Sequence, residues 1–384
     1  MGETRSSAGD MGTCSFCGRS SRTISSFLGV CVDCLRKNKG ALYHVLKIHE
    51  EVRRELGKRQ EPTGNGLKCT VCGRSCSLRD GEVGYCGLRY STTGKVSAFL
   101  RADTMLGHVY YDPHPTNCVA VEVCPAAKGV GYPVYALTPN GEPGYYNIAV
   151  FFGSCNLNCL FCQNWEHHLI AVRKGPSFTI DDLGKAVNGQ TTCVCFFGGD
   201  PSVFSTAAII AAKRMVKRAK EVGLRVFRVC WETNGLWNPA IFEKAVELSL
   251  ETGGIVKVDM KAWSPEVYSA LTGVRPEHVH LIRENVERAA KLFEKRREPP
   301  LLVVSVLLVP GYIDDYELDG ITKFVAGLNP DIPVVFLGFH PDFYLNDLPR
   351  TSWSHARRAL KIAEENGLRR VYLGNTFLLG NAYD

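Results

Sequence analysis

"NIAVFFGSCNLNCLFCQNW", residues 147–165, is an apolar run that passes directly into a loop carrying Cys155, Cys159 and Cys162. Its first seven residues read as a short buried strand. The same texture recurs downstream in "TCVCFFG" (192–198), "RVFRVC" (225–230), "GIVKVDM" (254–260), "LLVVSVLLV" (301–309), "IPVVFLGF" (332–339) and "RVYLGN" (370–375). Amphipathic segments fit between most of them. "STAAIIAAKRMVKRAKEVG" starts at Ser205 as N-cap and stops at Gly223, and "PAIFEKAVELSLETG", "HVHLIRENVERAAKLFEKR" and "TSWSHARRALKIAEENG" behave alike. Alternating strand and helix predicts an α/β fold with a parallel sheet and helices outside it. Six or seven units predict a barrel, a complete TIM barrel or a partial one, rather than an open doubly wound sheet. No GxGxxG follows the first strand and no GxxxxGK[ST] occurs, so the usual nucleotide cradles are missing. In such barrels functional groups gather where the strands end, which puts the three cysteines at the mouth.

The spacing Cys155-x3-Cys159-x2-Cys162 leaves a metal cluster short of one ligand. Thiolates are soft ligands suited to iron–sulfur clusters, and a four-iron cubane with three protein thiolates keeps one iron open to a small molecule. A zinc site or a chance cluster of thiols is the plainer alternative. With Phe161 directly before the last cysteine, the loop resembles the signature of radical S-adenosylmethionine (SAM) enzymes. The resemblance implies a [4Fe–4S] cluster, SAM bound at the open iron, a low-potential electron donor, and a 5′-deoxyadenosyl radical that takes hydrogen from a substrate, which the sequence does not identify.

Further stretches at strand ends carry the same resemblance. "FFGGDPS" (196–202) is similar to the Gly-Gly-Glu segment that contacts the SAM amino group, with Gly198 and Gly199 permitting close backbone approach and Asp200 standing where Glu is commoner. "CWETNG" (230–235) offers Glu232 to ribose hydroxyls or to the substrate space; Asn234-Gly235 also reads as an ordinary turn. "VDMKAWSPEVYSALTGV" (258–274) resembles the Asp-x-Lys of glycyl-radical activating enzymes. Asp259 and Lys261 both face the mouth only if the strand bends there. "VSVLLVPGYID" (304–314) resembles the fifth strand of that group but has Ser305 near the position where those activases tend to carry Arg. "FLGFHPDFYLNDLP" (336–349) places His340 at the end of the next strand as a proton-transfer or hydrogen-bonding candidate beside a structural role. Residues 69–86 and 147–375 together most resemble the AmmeMemoRadiSam group and its activase-like relatives. An activating enzyme for a glycyl-radical protein is the runner-up, and a zinc-ribbon adaptor for nucleic acid or protein is the alternative of a different class.

Cysteine is the outlier of the composition, with 16 in 384 residues, and thirteen of them lie between Cys14 and Cys162. The opening "MGETRSSAGDMGTC" has no apolar h-region, so thiols in a reducing compartment, and a cytoplasmic protein, are expected. Gly2 and Ser6 formally fit a myristoylation pattern too short to weigh. The longest apolar run, Leu301 to Val309, is too short to span a bilayer. A formal net charge of +6 permits an acidic partner without demanding a nucleic acid. Cys14-x2-Cys17-x13-Cys31-x2-Cys34 has zinc-ribbon spacing. Arg19, Arg22, Arg36 and Lys37 flank it, as a solvated face or a nucleic-acid contact. Cys69-x2-Cys72-x3-Cys76-x9-Cys86 fits zinc or an auxiliary [4Fe–4S] cluster. Cys118 and Cys124 read as a further metal pair or as buried thiols, and Cys193, Cys195 and Cys230 as small hydrophobes within strands. The expected organisation is a zinc-ribbon-like module (1–60), a Cys-rich accessory region (61–145) and a radical SAM barrel (146–384).

Overall fold

The computed structural model describes residues 11–62 and 64–383, so the Gly2 and Ser6 pattern lies outside the described residues. Nine strands form the main sheet: β1 Thr104–Pro113, β2 Tyr146–Phe152, β3 Ser177–Thr179, β4 Thr191–Gly198, β5 Arg228–Thr233, β6 Val256–Asp259, β7 Leu302–Leu308, β8 Val334–Gly338 and β9 Val371–Gly374. Their spatial order is β9-β8-β7-β6-β5-β4-β2-β1-β3. Every pair from β2 through β9 is parallel. β1 joins β2 antiparallel, and β3 joins β1 likewise. Seven parallel strands curl around one cavity while β3 and β9 end the sheet without pairing to each other among the described residues. The partial barrel is the form adopted, not a closed eight-stranded one.

Alternation along each strand sorts the side chains. Val194, Phe196, Val229, Trp231, Val256, Val258, Val304 and Phe336 enter the core beneath the outer helices, all completely buried. The intervening residues, Cys193, Cys195, Cys230, Glu232 and Lys257 among them, face the cavity instead. Outer helices are bounded by local chemistry. Asn238 caps Pro239–Thr252, which ends on Gly253 in the left-handed conformation; Asp314 caps Asp315–Leu328; Ser352 caps Trp353–Glu365.

Three details differ from the sequence reading. The third parallel strand is Arg228–Thr233, three residues beyond "RVFRVC", because only there does the backbone find partners on both sides in Cys193–Phe196 and Val256–Val258. Ser205 is the first residue of helix Ser205–Glu221 rather than its cap; its hydroxyl donates to the Val71 carbonyl at 2.8 Å. The expected Cys-rich accessory region (61–145) also contains the ten-residue strand β1, which the sequence reading does not include among its strands.

The N-terminal cysteine module rests on the barrel. The Tyr312 hydroxyl donates to the Val30 carbonyl at 3.0 Å, and Ser25 Oγ donates to the Asp347 carboxylate at 3.1 Å. Gly311 makes this approach feasible, since a Cβ there would meet the Thr23 carbonyl oxygen at 2.1 Å and its φ is +74°. Arg36 pairs with Asp314 and, at 3.1 Å, with buried Glu317. Glu317 in turn accepts from the Trp263 and Ser264 amides just past β6, tying the module to one rim of the mouth.

Candidate active site

The loop after β2 is held by backbone contacts on several sides. Asn158 and Leu160 amides donate to the Thr272 and Leu271 carbonyls at 2.8 and 3.1 Å, and the Leu160 carbonyl accepts from the Tyr344 and Leu345 amides. Arg74 donates to the Asn156 carbonyl at 2.7 Å. Asn156 and Asn234, both buried, lock together through an amide–carbonyl bond of 2.9 Å, and Asn234 Nδ2 also donates to Cys155 Sγ at 3.6 Å. Sequence reading had assigned Asn156 no role and taken Asn234 as a turn residue. The one signal available was the presence of two amide side chains, Asn156 and Asn158, between Cys155 and Cys159, since such groups demand partners once buried.

Cys155, Cys159 and Cys162 line one cavity of about 590 Å³, together with Phe161, Gly198, Gly199, Asp200, Glu232, Asp259 and Lys261. Burial pushes the Cys159 and Cys162 thiols up to about 12 and raises Cys155 as well, so a metal centre seated here displaces protons. The strand does end at Asp259, which lets Lys261 turn back and pair with it. Lys261 Nζ also lies 5.6 Å from the Phe161 ring centroid. Two buried polar atoms on the cavity lining lack any protein partner, Asp259 Oδ1 and His167 Nδ1. Open volume, three convergent thiols and unpartnered buried polar atoms together fit a cluster with a drug-sized organic ligand.

The two glycines serve the cysteine loop itself. Gly198 has φ +104°, and a Cβ on Gly199 would meet the Ser154 carbonyl oxygen at 2.1 Å. Asp200 is 2% exposed and its carboxylate is occupied by protein donors: the Ser202 amide at 2.8 Å, the Asn234 amide at 2.7 Å and Thr233 Oγ1 at 2.9 Å. It braces the end of β4 against the end of β5. Glu232 remains half-exposed on the cavity wall, 3.5 Å from Lys257 Nζ. His340 stands apart from the cavity lining and pairs with Asp342 at 3.0 Å.

The accessory thiols gather in two places. The ligand atoms of Cys14, Cys17, Cys31 and Cys34 all lie within 4.8 Å of one another, with Cys17 and Cys31 sulfurs 3.7 Å apart. A tetrahedron with Zn–S bonds of about 2.3 Å has an edge of about 3.8 Å, so the set fits a closed zinc site. Burial opposes the Cys14 thiolate, yet amides of Cys31, Phe16 and Cys17 bring its pKa to about 6. Cys69, Cys72, Cys76 and Cys86 line one small space with Arg74, Tyr85 and Asn156, directly behind the mouth loop.

Residues 149–325 match the family model of the radical SAM superfamily. An uncharacterized protein of Methanocaldococcus jannaschii is 23% identical over 322 residues, 81% of this chain and 82% of that protein. Among solved structures, a domain of a pyruvate-formate lyase-activating enzyme from Bacteroides vulgatus is similar over 47% of this chain and 98% of its own, at 18% identity and a TM-score of 0.35. Streptococcus suis SuiB bound to its precursor peptide SuiA is similar over 60% of this chain and 50% of its own, at 12% identity and a TM-score of 0.37. Among the described residues no helix is long and apolar enough to cross a membrane.

Proposed function

We propose that this chain, whose residues 149–325 are a radical SAM domain, is an enzyme that holds a [4Fe–4S] cluster on Cys155, Cys159 and Cys162 and cleaves SAM reductively. The observation that carries the reading is the convergence of those three thiols, alone of the mouth loop's ligands, on a cavity large enough for SAM and a substrate. When bound, the cluster and SAM supply an electron and a 5′-deoxyadenosyl radical that abstracts hydrogen from the substrate. The chain's own contribution is positioning. Asn234 and the Leu157 amide donate to Cys155 Sγ, the latter at 3.3 Å, fixing that ligand and favouring its thiolate. Phe161, under Lys261, walls one side of the cavity and excludes water from the loop. Asp259 and Lys261 present a paired charge to the ligand space, with Asp259 Oδ1 free to accept from it. Glu232, on the neighbouring strand β5, lines the same cavity as a further acceptor.

The N-terminal set is proposed as structural zinc. The Cys69–Cys86 set is proposed as a second accessory metal site, either zinc or an auxiliary [4Fe–4S] cluster. The division into a ribbon module, an accessory region and a barrel stands with this proposal. The test is anaerobic reconstitution followed by electron paramagnetic resonance of the dithionite-reduced protein. A [4Fe–4S] signal that changes on adding SAM, and is lost in Cys155→Ser, supports the reading. A signal unaffected by SAM refutes it.

A further inference from the structure

Five more thiols face the same cavity at its opposite end. Cys193 and Cys195 stand two residues apart on β4, and Cys195 is the register partner of Cys230 on β5. Cys118 and Cys124 come from the segment before β2, in which Ala120 and Val123 pack on Ile255, Val303 and Val335 and so close the barrel at the starts of β6, β7 and β8. All five line the cavity. Cys195 precedes the mouth turn at Gly199 by four residues, roughly 13 Å of strand.

Their surroundings are not those of cysteines used as small hydrophobes. Lys257 is 2% exposed, and its ammonium donates to Cys195 Sγ at 3.1 Å and to Cys118 Sγ at 3.4 Å. Its carboxylate neighbour, Glu232, is 3.5 Å away and half-exposed. A buried ammonium with neutral thiols for close partners is costly, and the same ammonium beside anionic sulfur is stabilised. Cys193 adds contacts to Asn147 Oδ1 at 3.3 Å and His114 Nε2 at 3.7 Å. Thiols on three separate segments thus line the floor of one open space, two of them, Cys118 and Cys195, in contact with its buried cation.

We infer that the barrel floor is a second thiolate-ligated metal site within the cavity, binding a thiophilic metal centre through ligands drawn from Cys118, Cys124, Cys193, Cys195 and Cys230, with Lys257 neutralising its net negative charge. The centre is an iron–sulfur cluster, whose thiolate ligands stand farther apart than those of a single zinc or copper(I) ion, since no three of these ligand atoms lie within 4.8 Å of one another. The site is independent of SAM cleavage and stands if that reading fails.

The experiment uses the full chain with Cys155, Cys159 and Cys162 changed to Ser, so that the mouth adds nothing to the count. It is loaded anaerobically with iron and sulfide. Adding Cys195→Ser and Cys230→Ser is expected to remove about four irons with matching sulfide. A parallel measurement needs no floor variant: alkylation of Cys118 and Cys195, mapped by mass spectrometry, is expected to slow at least about tenfold in loaded relative to chelator-stripped protein. Metal content unchanged by the two substitutions, or equal alkylation with and without metal, overturns the proposal.

Discussion

Replacing Asp200 with Ala is expected to weaken the fold at the cavity mouth rather than delete a ligand contact. The carboxylate accepts from two buried backbone amides, Ser202 and Asn234, and from the Thr233 hydroxyl. The hydroxyl can rotate to another acceptor, but the amides cannot. At about 1–3 kcal/mol for each buried donor left unsatisfied, Asp200→Ala costs about 2–6 kcal/mol. Burial raises the Asp200 carboxyl pKa, so its charge itself contributes little that Asn would forfeit. Asp200→Asn keeps one acceptor oxygen and is expected to lose about half as much. Urea unfolding followed by tryptophan fluorescence reads this directly, because buried Trp237 donates to Thr233 Oγ1 at 2.7 Å. SAM titration of the folded variants supplies the second readout. If Asp200→Ala unfolds at the wild-type midpoint yet loses SAM affinity, Asp200 is a ligand and the bracing role is refuted.

Glu142→Ala leaves Arg228 buried without its bidentate partner, now at 2.6 and 2.7 Å, and is expected to destabilise by about 3–5 kcal/mol; the double change to Leu at both positions is expected to recover most of that in the same urea assay. Burial opposes ionisation of Glu142, but Arg228 holds its carboxyl below the ordinary 4.5. The native state therefore binds fewer protons than the unfolded chain, and this contribution is present above pH 4.5 and lost as pH falls through the folded pKa. Glu142→Gln is expected to flatten that part of the acid limb, and an unchanged acid limb contradicts the pairing. Cys17→Ser is expected to remove about one zinc per chain and lower the melting temperature, as metal analysis and calorimetry would record; full zinc retention contradicts the closed four-thiol site.

The parallel sheet was legible because short apolar runs alternate with amphipathic helices over most of its length, two periodicities that one sequence displays. β1 was not. It is an antiparallel addition without a helix, and its consecutive Tyr110 and Tyr111, on opposite faces of the strand, are each 48% exposed, so no burial contrast marks it. The mouth thiols stood out by their spacing and their place after a strand; of the floor thiols only Cys118 and Cys124 suggested a metal pair, while Cys193, Cys195 and Cys230 read as small hydrophobes. "TCVCFFG" reads as uniformly apolar until the sheet assigns Val194 and Phe196 outward and Cys193 and Cys195 inward. Lys257 within "GIVKVDM" was the available clue, a charge inside an otherwise apolar strand. His340 is the reverse case. A strand-end position licensed a mouth role, but its loop turns it toward Asp342 instead.

The most direct measurement of the central claim is release of 5′-deoxyadenosine from SAM by the anaerobically reconstituted full chain with dithionite, run beside Cys159→Ala. Radical SAM chemistry at the mouth loop requires release by the wild-type protein and none by the variant. Equal release by both, or none by a wild-type protein carrying its full iron and sulfide, contradicts it.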